Sequence, residues 1–356
     1  MRTTPLMSRF ARMARRQVLG AALAVLASAL LGPSLLAAEP GKPLRVVVLS
    51  DFNESYGSTR YTRHVDEAVA RAIALKPDLV ISTGDMVAGQ RLNPSLTRTQ
   101  IEPMWRAFHD KVSDPLARAG VPFVAVAGNH DASSGERFRL EREIYREQWS
   151  GRRPALDFVD TTHFPFRYAF RLGGTLFIAL DATFVGHLSR EERDWLAALL
   201  EREGPKSTNR VVFSHMPLWP FAVGRETEYL GDPELEAILK RGHVDLFLSG
   251  HHHAYYPGAK DGVRHVSQAC LGAGPRPLIG TPHAAERAIT VLDFDGKGAV
   301  QVEAYTGPGY TRRIERASLP ERIVSQRATL VRDDLAGFGP GQSARPAPAA
   351  APRGNP

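Results

Sequence analysis

Five groups of polar residues along the sequence carry side chains that bind divalent cations. The groups are Asp51-Phe52-Asn53, Gly84-Asp85, Gly128-Asn129-His130-Asp131, His215 and Gly250-His251-His252-His253. Carboxylate, amide and imidazole groups suit Mn, Fe, Zn or a similar ion, whereas the single cysteine, Cys270, excludes a thiolate site. Two such ions about 3.5 to 4 Å apart can deprotonate a shared water and hold the oxygens of a phosphate. The residue types therefore indicate a metal centre that favours an anionic ester.

Each group follows a short apolar run, and this position predicts how the groups can meet. Continuous apolar runs are typical of strands buried on both faces, and they cover residues 45–50, 79–82, 122–127, 210–214 and 245–249. Helix-like segments alternate with them at residues 64–75, 100–117 and 189–201. This alternation predicts an α/β sandwich. Because ligands bind beyond the carboxyl ends of the strands in an open α/β sheet, the five groups can converge on one site.

The third helix and the C-terminal part of the chain carry further local signals. Ser189 and Glu192 form a capping box at the start of the third helix. The apolar segments 289–293 and 300–304 flank a glycine-containing turn and predict an antiparallel hairpin. Residues 312–335 are rich in arginine, show no periodicity and are left unassigned. From residue 336 onward, 15 of 21 residues are Ala, Gly or Pro, which predicts a disordered tail over 336–356.

The N-terminal residues 1–38 have the pattern of a signal peptide. A basic region precedes an apolar stretch from Val18 to Ala38 that ends in small residues. Arg15-Arg16 followed by Gln17-Val18-Leu19 resembles the twin-arginine export signal of bacteria. We expect a periplasmic or secreted protein that meets the export machinery and touches the membrane only through this signal. An ordinary secretory signal and a retained anchor helix are the alternatives.

Composition and charge limit the classes of function. The chain has 356 residues, of which 43% are hydrophobic and 23% charged, and this rules out a disordered or collagen-like protein. The formal net charge is +7, but residues 1–38 contain five arginines and no acidic residue. The near-neutral remainder lacks the basic stripe of a nucleic-acid-binding protein, so we expect no nucleic-acid partner.

Taken in order, the five groups resemble the calcineurin-like metallophosphoesterase superfamily. The family pattern is Asp-x-His, Gly-Asp, Gly-Asn-His-Asp/Glu, His and Gly-His-x-His, and the resemblance covers residues 44 to about 305. It implies a metallophosphoesterase-type sandwich of two mixed β-sheets flanked by helices, over a domain that we place at 39–311. It also implies a phosphoesterase that hydrolyses small-molecule phosphate mono- or diesters by attack of a metal-bridging hydroxide at a two-metal centre.

Carried over by position, the resemblance implies a role for each motif residue. The ligands of the two divalent ions (Mn, Fe or Zn) are Asp51, Asn53, Asp85, Asn129, His215, His251 and His253. Asp85 bridges both ions, and His252 occupies the variable position and points away. His130 protonates the leaving alkoxide or stabilises the phosphoryl group, and Asp131 orients His130.

Asn53 departs from the family pattern, which has histidine at this position. An amide oxygen is a harder and weaker ligand than imidazole, so the first site can bind its metal less tightly or favour Mn, Mg or Ca. Three outcomes stay open: ligation by Asn53, a water in its place, or an empty first site. We favour ligation. The rivals to a two-metal enzyme are a non-catalytic member of the fold and a single-metal hydrolase that uses His215, His251 and His253.

The polar segment after the first motif is the predicted rim of the site. Tyr56, Arg60 and Tyr61 lie within it and are candidate substrate contacts, although an ordinary connecting loop fits the segment equally well. The remaining histidines, including His64 and His109, are expected at the surface or hydrogen-bonded in the core.

Overall fold

The computed structural model describes residues 41–338. The strands in chain order are β1 (Leu44–Leu49), β2 (Leu79–Ser82), β3 (Phe123–Ala125), β4 (Asp157–His163), β5 (Arg167–Leu172), β6 (Thr175–Ala179), β7 (Asn209–Ser214), β8 (Leu246–Ser249), β9 (Tyr256–Lys260), β10 (Val263–Ser267), β11 (Ala288–Phe294), β12 (Val300–Thr306), β13 (Arg312–Arg313), β14 (Arg322–Val324) and β15 (Thr329–Arg332). One sheet has the order β13-β12-β11-β1-β2-β3, and the other has the order β14-β15-β9-β10-β8-β7-β6-β5-β4. Both sheets are mixed, with β1, β2 and β3 parallel in the first and β6, β7, β8 and β10 parallel in the second.

Helices lie between the strands that carry the predicted motifs. The α-helices in the same range are α1 (Arg63–Ala74), α2 (Arg98–Phe108), α3 (Asp114–Arg118), α4 (Asn129–Ala132), α5 (Arg139–Ser150), α6 (Arg190–Glu203) and α7 (Pro233–Arg241). The helix predicted over 100–117 is divided by a π-helical turn, His109–Ser113, just before Pro115, which has no N–H to donate. Ser189 is confirmed as the N-cap of α6, since its hydroxyl accepts the N–H of Glu192 at 3.1 Å. The reciprocal half of the predicted capping box is not formed, because the Glu192 carboxylate accepts from Arg167 and from the N–H of Asp181 instead.

Burial on both faces explains why the strands are continuously apolar. Val46 and Val48 of β1 pack into the core between the two sheets, whereas Val47 and Leu49 pack against the helices on the outer side. Helices α6 and α7 cover the outer face of the second sheet in the same way. The molecule is thus a sandwich of two mixed sheets flanked by helices, and the predicted fold class is confirmed.

The segment 312–335, which the sequence leaves unassigned, continues the two sheets. β13 pairs with β12, and β15 joins β14 to β9. Arg316 donates to the carboxylate of Asp333 and to the carbonyl of Val302, so its charge is neutralised where the segment crosses the sheet. Apolar side chains also anchor this segment, since Ile314, Ile323 and Leu330 are buried in the core. Its strands are only two to four residues long, which is too short to show a period in the sequence. The fold therefore extends beyond the boundary of 311 that the sequence indicates.

The two terminal predictions lie mostly outside the described residues. The signal peptide of residues 1–38 lies entirely outside them, as does the predicted tail after residue 338. Within the tail, Phe338 lies under the guanidinium of Arg264 at 5.3 Å, so side-chain packing continues past residue 336. Between residues 41 and 338, no helix has both the length and the apolar character needed to cross a membrane.

Candidate metal centre

Both sheets contribute to the candidate metal centre. The first sheet supplies the residues that follow β1, β2 and β3, namely Asp51, Asn53, Asp85 and Asn129. The second sheet supplies the residues that follow β7 and β8, namely His215, His251 and His253. Contacts between the loops bring these residues together at the carboxyl ends of parallel strands, as the order of motifs predicts.

Four of these residues have left-handed backbone conformations. The φ angles are 51° for Asp51, 55° for Asp85, 65° for His251 and 55° for His253. A non-glycine residue in this region costs of order 1 kcal/mol or more, and such strain concentrates at functional sites. Four of the seven predicted metal ligands thus have this strained conformation.

Two glycines of the motifs are required by close packing at the site. A Cβ on Gly128 would lie 2.1 Å from Oδ1 of Asp85. Gly84 has a φ of +97°, and a Cβ there would lie 2.8 Å from Nδ1 of His215. The glycines before Asp85 and Asn129 therefore allow the loops from neighbouring strands to touch.

One set of donor atoms is formed by Asp51, Asp85 and His253. Each offers one ligand atom, and these atoms all lie within 4.8 Å of one another. The Nε2 atom of His253 is 3.2 Å from Oδ1 of Asp51, and its Nδ1 is 3.0 Å from the carbonyl of Gly274. Because a carbonyl only accepts, Nδ1 donates, and Nε2 is the nitrogen that faces the carboxylates. Ser50 supports Asp51 from behind, since its hydroxyl donates to Oδ2 at 2.5 Å.

A second set of donor atoms surrounds His215. Its Nδ1 donates to the carbonyl of Thr83 at 2.8 Å, which leaves Nε2 as the nitrogen that faces the other donor atoms. That Nε2 is 2.9 Å from Oδ1 of Asn129 and 3.4 Å from Oδ1 of Asp85. Asn129 is oriented by its amide N–H, which donates to Oε1 of Gln90 at 2.7 Å. His251 completes the set, with its ring centroid 5.2 Å from that of His215.

The chemistry of both sets fits divalent cations. Each set turns an imidazole nitrogen toward oxygen atoms, with Nε2 of His253 facing Asp51 and Nε2 of His215 facing Asn129. A divalent cation bound in the first set would replace the proton that His253 shares with Asp51. The nitrogens of His215 and His253 that face away from the donor sets are held by backbone carbonyls, which is the usual arrangement around metal-binding histidines. Asp85 takes part in both sets, as a bridging carboxylate must.

Burial and charge set the protonation of the donor groups. Burial alone would raise the pKa of Asp51, but the charge and hydrogen bond of His253, together with His215 and Ser50, outweigh burial and hold that pKa well below its usual range. Burial alone would lower the pKa of His253, and Asp51 raises it well above the ordinary value. Burial lowers the pKa of His251 to about 4, so this ring is neutral and able to bind metal at pH 7.

Asn53 is buried beside Asp85. Its N–H points to the carbonyl of Asp85 at 3.2 Å, and its own carbonyl accepts the N–H of Ala273 at 3.1 Å. The backbone thus fixes residue 53 at the edge of the first donor set, and ligation by its side chain stays a prediction. His64, the conceivable substitute, lies on α1.

His130 adjoins both donor sets, but Asp131 does not orient it. The His130 N–H donates to Oδ1 of Asp85 at 2.9 Å, and Nδ1 is 3.0 Å from the carbonyl of Gly89. The Nε2 atom lies 3.9 Å from Oδ2 of Asp85. The carbonyl of Gly89 therefore orients the ring of His130. The resemblance to the family implies this role for the carboxylate of Asp131.

Asp131 instead holds the loops of the site. Its Oδ1 accepts the N–H groups of Met86 and Val87 at 2.8 and 2.9 Å, and its Oδ2 accepts the N–H of Gly128 at 2.8 Å. These three bonds tie the loop after β2 to the loop after β3. Burial and the neighbouring charge of Asp85 raise the pKa of Asp131 in spite of the three donors.

The three predicted rim residues have different positions. Tyr56 is 55% exposed, and its ring lies 5.3 Å from that of His130, so it remains a candidate substrate contact. Tyr61 packs against the core, and its hydroxyl donates to the carbonyl of Met86 at 2.8 Å, which corrects its assignment to substrate. Arg60 is exposed on the loop.

Two residues near the site carry no signal in the sequence. Oε2 of Glu228 lies 2.9 Å from Nε2 of His251. The backbone N–H of Arg276 points to the carbonyl of His253 at 3.4 Å, and the Nε of Arg276 is buried without a hydrogen-bond partner among the described residues. Neither residue lies in a recognisable motif.

Two histidines outside the donor sets have structural contacts. His252 accepts the N–H of Phe221 at 3.0 Å and donates to the carbonyl of Glu228 at 2.8 Å, so both its nitrogens are used. His109 is buried and lies 2.7 Å from the hydroxyl of Ser113. The expectation that His252 points away from the metal ligands agrees with these contacts.

Comparison with known proteins identifies the family. The family model described as calcineurin-like phosphoesterase matches residues 44–255, and the chain therefore belongs to that family, a class of metal-dependent phosphoesterases. This confirms the resemblance drawn from the five motifs. A search of curated proteins gave no match.

Solved structures share the fold at low sequence identity. A purple acid phosphatase from yellow lupin (Lupinus luteus) is 16% identical over 75% of this chain and 52% of its own, with a TM-score of 0.56. A dimetal phosphatase from Danio rerio is 17% identical over 78% of this chain and 98% of its own, with a TM-score of 0.53. This chain spans about half the length of the lupin phosphatase.

Proposed function

We propose that this protein is an exported hydrolase of small phosphate mono- or diesters that works with two divalent ions. The observation that carries the proposal is the position of Asp85. Its carboxylate shares one donor set with Asp51 and His253, and it also lies 3.4 Å from Nε2 of His215 in the other set. One carboxylate between two sets of nitrogen and oxygen donors is the arrangement that a two-metal phosphoesterase requires.

The residues divide between two ions. Asp51, Asp85 and His253 would hold the first ion together with Asn53, and Asp85, Asn129, His215 and His251 would hold the second. When bound, the ions supply an activated water and neutralise the charge of the phosphoryl oxygens. The oxygen and nitrogen donor atoms of these residues favour Mn, Fe or Zn.

His130 is the proton donor in this proposal. The bond from Nδ1 to the carbonyl of Gly89 directs Nε2 toward the site, where Asp85 lies 3.9 Å away. In the imidazolium form, Nε2 gives its proton to the leaving alkoxide, and the protein needs no covalent nucleophile. The exposed ring of Tyr56 lies beside that of His130, with 5.3 Å between the two centroids.

Turnover and metal content test this function together. The leader-free protein is analysed for bound metal and assayed with aryl phosphate monoesters and diesters in the presence of added Mn²⁺. We expect two ions per chain and hydrolysis that the substitutions Asp85→Ala and His130→Ala abolish.

Each rival has its own outcome in this experiment. A wild-type protein no more active than these two variants with Mn, Fe and Zn would refute the proposal and favour a non-catalytic binding protein. One tightly bound ion with full activity and no response to further metal would favour the single-metal hydrolase.

Export depends on the leader of residues 1–38. Five arginines followed by an apolar stretch support it, and the pair Arg15-Arg16 supports the twin-arginine route. Fractionation of bacteria that express the full chain tests this proposal. Wild type is expected in the periplasm or medium, and the double substitution Arg15→Lys, Arg16→Lys is expected in the cytoplasm. Equal export of both proteins would contradict the twin-arginine route.

A further inference from the structure

Residues 217–231, between β7 and α7, carry an acidic side chain to the back of the candidate metal centre. Oε2 of Glu228 lies 2.9 Å from Nε2 of His251, and the guanidinium of Arg225 donates to Oε1 of the same carboxylate. His251 is almost completely buried, whereas the side chain of Glu228 is 32% exposed. A hydrogen-bonded chain therefore runs from Arg225 through Glu228 to a predicted ligand of the second ion.

The backbone around this contact is fixed from both ends. Nε2 of His252 donates to the carbonyl of Glu228 at 2.8 Å, and Nδ1 of His252 accepts the N–H of Phe221 at 3.0 Å. The backbone N–H of His251 points to the carboxylate of Asp51 at 3.2 Å. Two consecutive histidines thus contact one glutamate, one through its side chain and the other through its carbonyl.

The contact selects one ring nitrogen of His251 for the metal. An ionised carboxylate accepts but does not donate, so Nε2 of His251 carries the hydrogen and Nδ1 carries the lone pair. His215 and His253 have the opposite arrangement, since their Nδ1 atoms are held by the carbonyls of Thr83 and Gly274. His251 also differs from them because its partner is charged, and a carboxylate partner makes an imidazole a stronger donor to a metal.

We propose that Glu228 is a positioning residue that fixes the tautomer of His251 and strengthens the second metal site, with Arg225 holding the carboxylate in place. This inference rests on the proposed two-metal function. We expect loss of Glu228 to weaken the second metal site and not the first. Glu228 contacts His251, a predicted ligand of the second ion, and the contacts described for the first donor set do not involve Glu228.

The test measures the binding of Mn²⁺ alone to the leader-free full chain by calorimetric titration and elemental analysis. The variants are Glu228→Ala and Glu228→Gln, and Glu226→Gln is the matched control because Glu226 is an exposed acid on the same segment. In Glu228→Ala, we expect the Kd of one of the two ions to rise by about 10- to 100-fold, with the other Kd and the Tm close to those of the control. Glu228→Gln is expected to lie between Glu228→Ala and wild type, because an amide oxygen still accepts the hydrogen of Nε2 without the charge.

A second readout reports the tautomer directly. Long-range proton–nitrogen correlation spectra of ¹⁵N-labelled protein, with His251→Ala for assignment, are expected to show His251 protonated at Nε2 in wild type and at a mixture of nitrogens in Glu228→Ala. Unchanged Kd values in Glu228→Ala, or an equal loss at both sites with a lower Tm, would overturn the inference. A wild type that binds fewer than two ions would refute the proposed function itself, and the titration of the unsubstituted protein shows this outcome separately.

Discussion

Glu141 on α5 is expected to make the stability of the fold depend on pH near neutrality. Its side chain is buried behind the loop that carries Gln90, and both carboxylate oxygens lie 3.1 Å from the backbone N–H of that residue. Burial raises the pKa of Glu141 from 4.5 to about 7, and the bond from Gln90 offsets only part of that effect. Since Gln90 in turn orients Asn129, this carboxyl group supports the candidate site.

The sign and size of the effect follow from linkage. A pKa that is higher in the folded state means that the folded protein binds more protons between pH 4.5 and about 7. The contribution of Glu141 to stability is therefore complete below pH 4.5 and is lost as the pH rises through 7. A rise from 4.5 to about 7 corresponds to a loss of roughly 3 kcal/mol in the free energy of unfolding.

The substitution Glu141→Gln removes the ionisation and keeps an oxygen that accepts the N–H of Gln90. Urea unfolding at pH 4 and pH 8 gives the free energy of unfolding of both proteins. We expect the variant to gain roughly 3 kcal/mol relative to wild type between these two pH values. An unpaired amide N–H of the new side chain would lower the free energy of unfolding of the variant by the same amount at both pH values. The prediction therefore concerns the change in the difference between variant and wild type from pH 4 to pH 8.

The control is Glu143→Gln, which alters an exposed acid of the same helix. Its stability relative to wild type is expected to change little between pH 4 and pH 8. The reasoning fails if the difference between Glu141→Gln and wild type is equally flat, or if the variant loses stability relative to wild type as the pH rises.

Four further substitutions test the site and its rim. Asn53→His is expected to tighten Mn²⁺ binding at the first site about tenfold or to change its metal preference, as measured by competition titration; equal affinity and preference would count against ligation by Asn53. Tyr56→Ala is expected to raise the KM for an aryl phosphate several-fold, whereas Tyr61→Phe leaves the KM unchanged and lowers the free energy of unfolding by about 1 kcal/mol; the opposite pattern would restore Tyr61 to the substrate site. Arg276 adjoins His253 and its buried Nε has no hydrogen-bond partner among the described residues, so it is a candidate contact for a phosphoryl oxygen. Arg276→Met is therefore expected to raise the KM about tenfold, which corresponds to one hydrogen bond to a charged group, and an unchanged KM would exclude this contact.

The sequence predicts those elements whose conformation depends on residues close together in the chain. The continuous apolar runs predict β1, β2, β7 and β8 because burial on both faces requires them. The motif glycines are readable for a similar reason, since Gly84 and Gly128 allow loops to touch where any side chain would collide.

The parts that sequence does not predict depend on contacts between distant residues. Tyr56 and Tyr61 stand five positions apart in one segment, yet one lies over His130 and the other joins the core. Glu228 reaches His251 across 23 positions with no fixed spacing to mark it. Arg316 pairs with Asp333 across 17 positions, and an ion pair leaves no periodic trace in the sequence.

The division of the donor atoms between two sheets has a consequence for the stability of the whole protein. Asp51, Asp85 and Asn129 come from one layer, and His215, His251 and His253 come from the other. Ions bound among them would cross-link the layers at one end of the interior, much as a disulfide joins two segments. A ligand at a hundred times its Kd stabilises the folded state by about 2.7 kcal/mol, so a chelator would loosen the contact between the halves and lower the melting temperature.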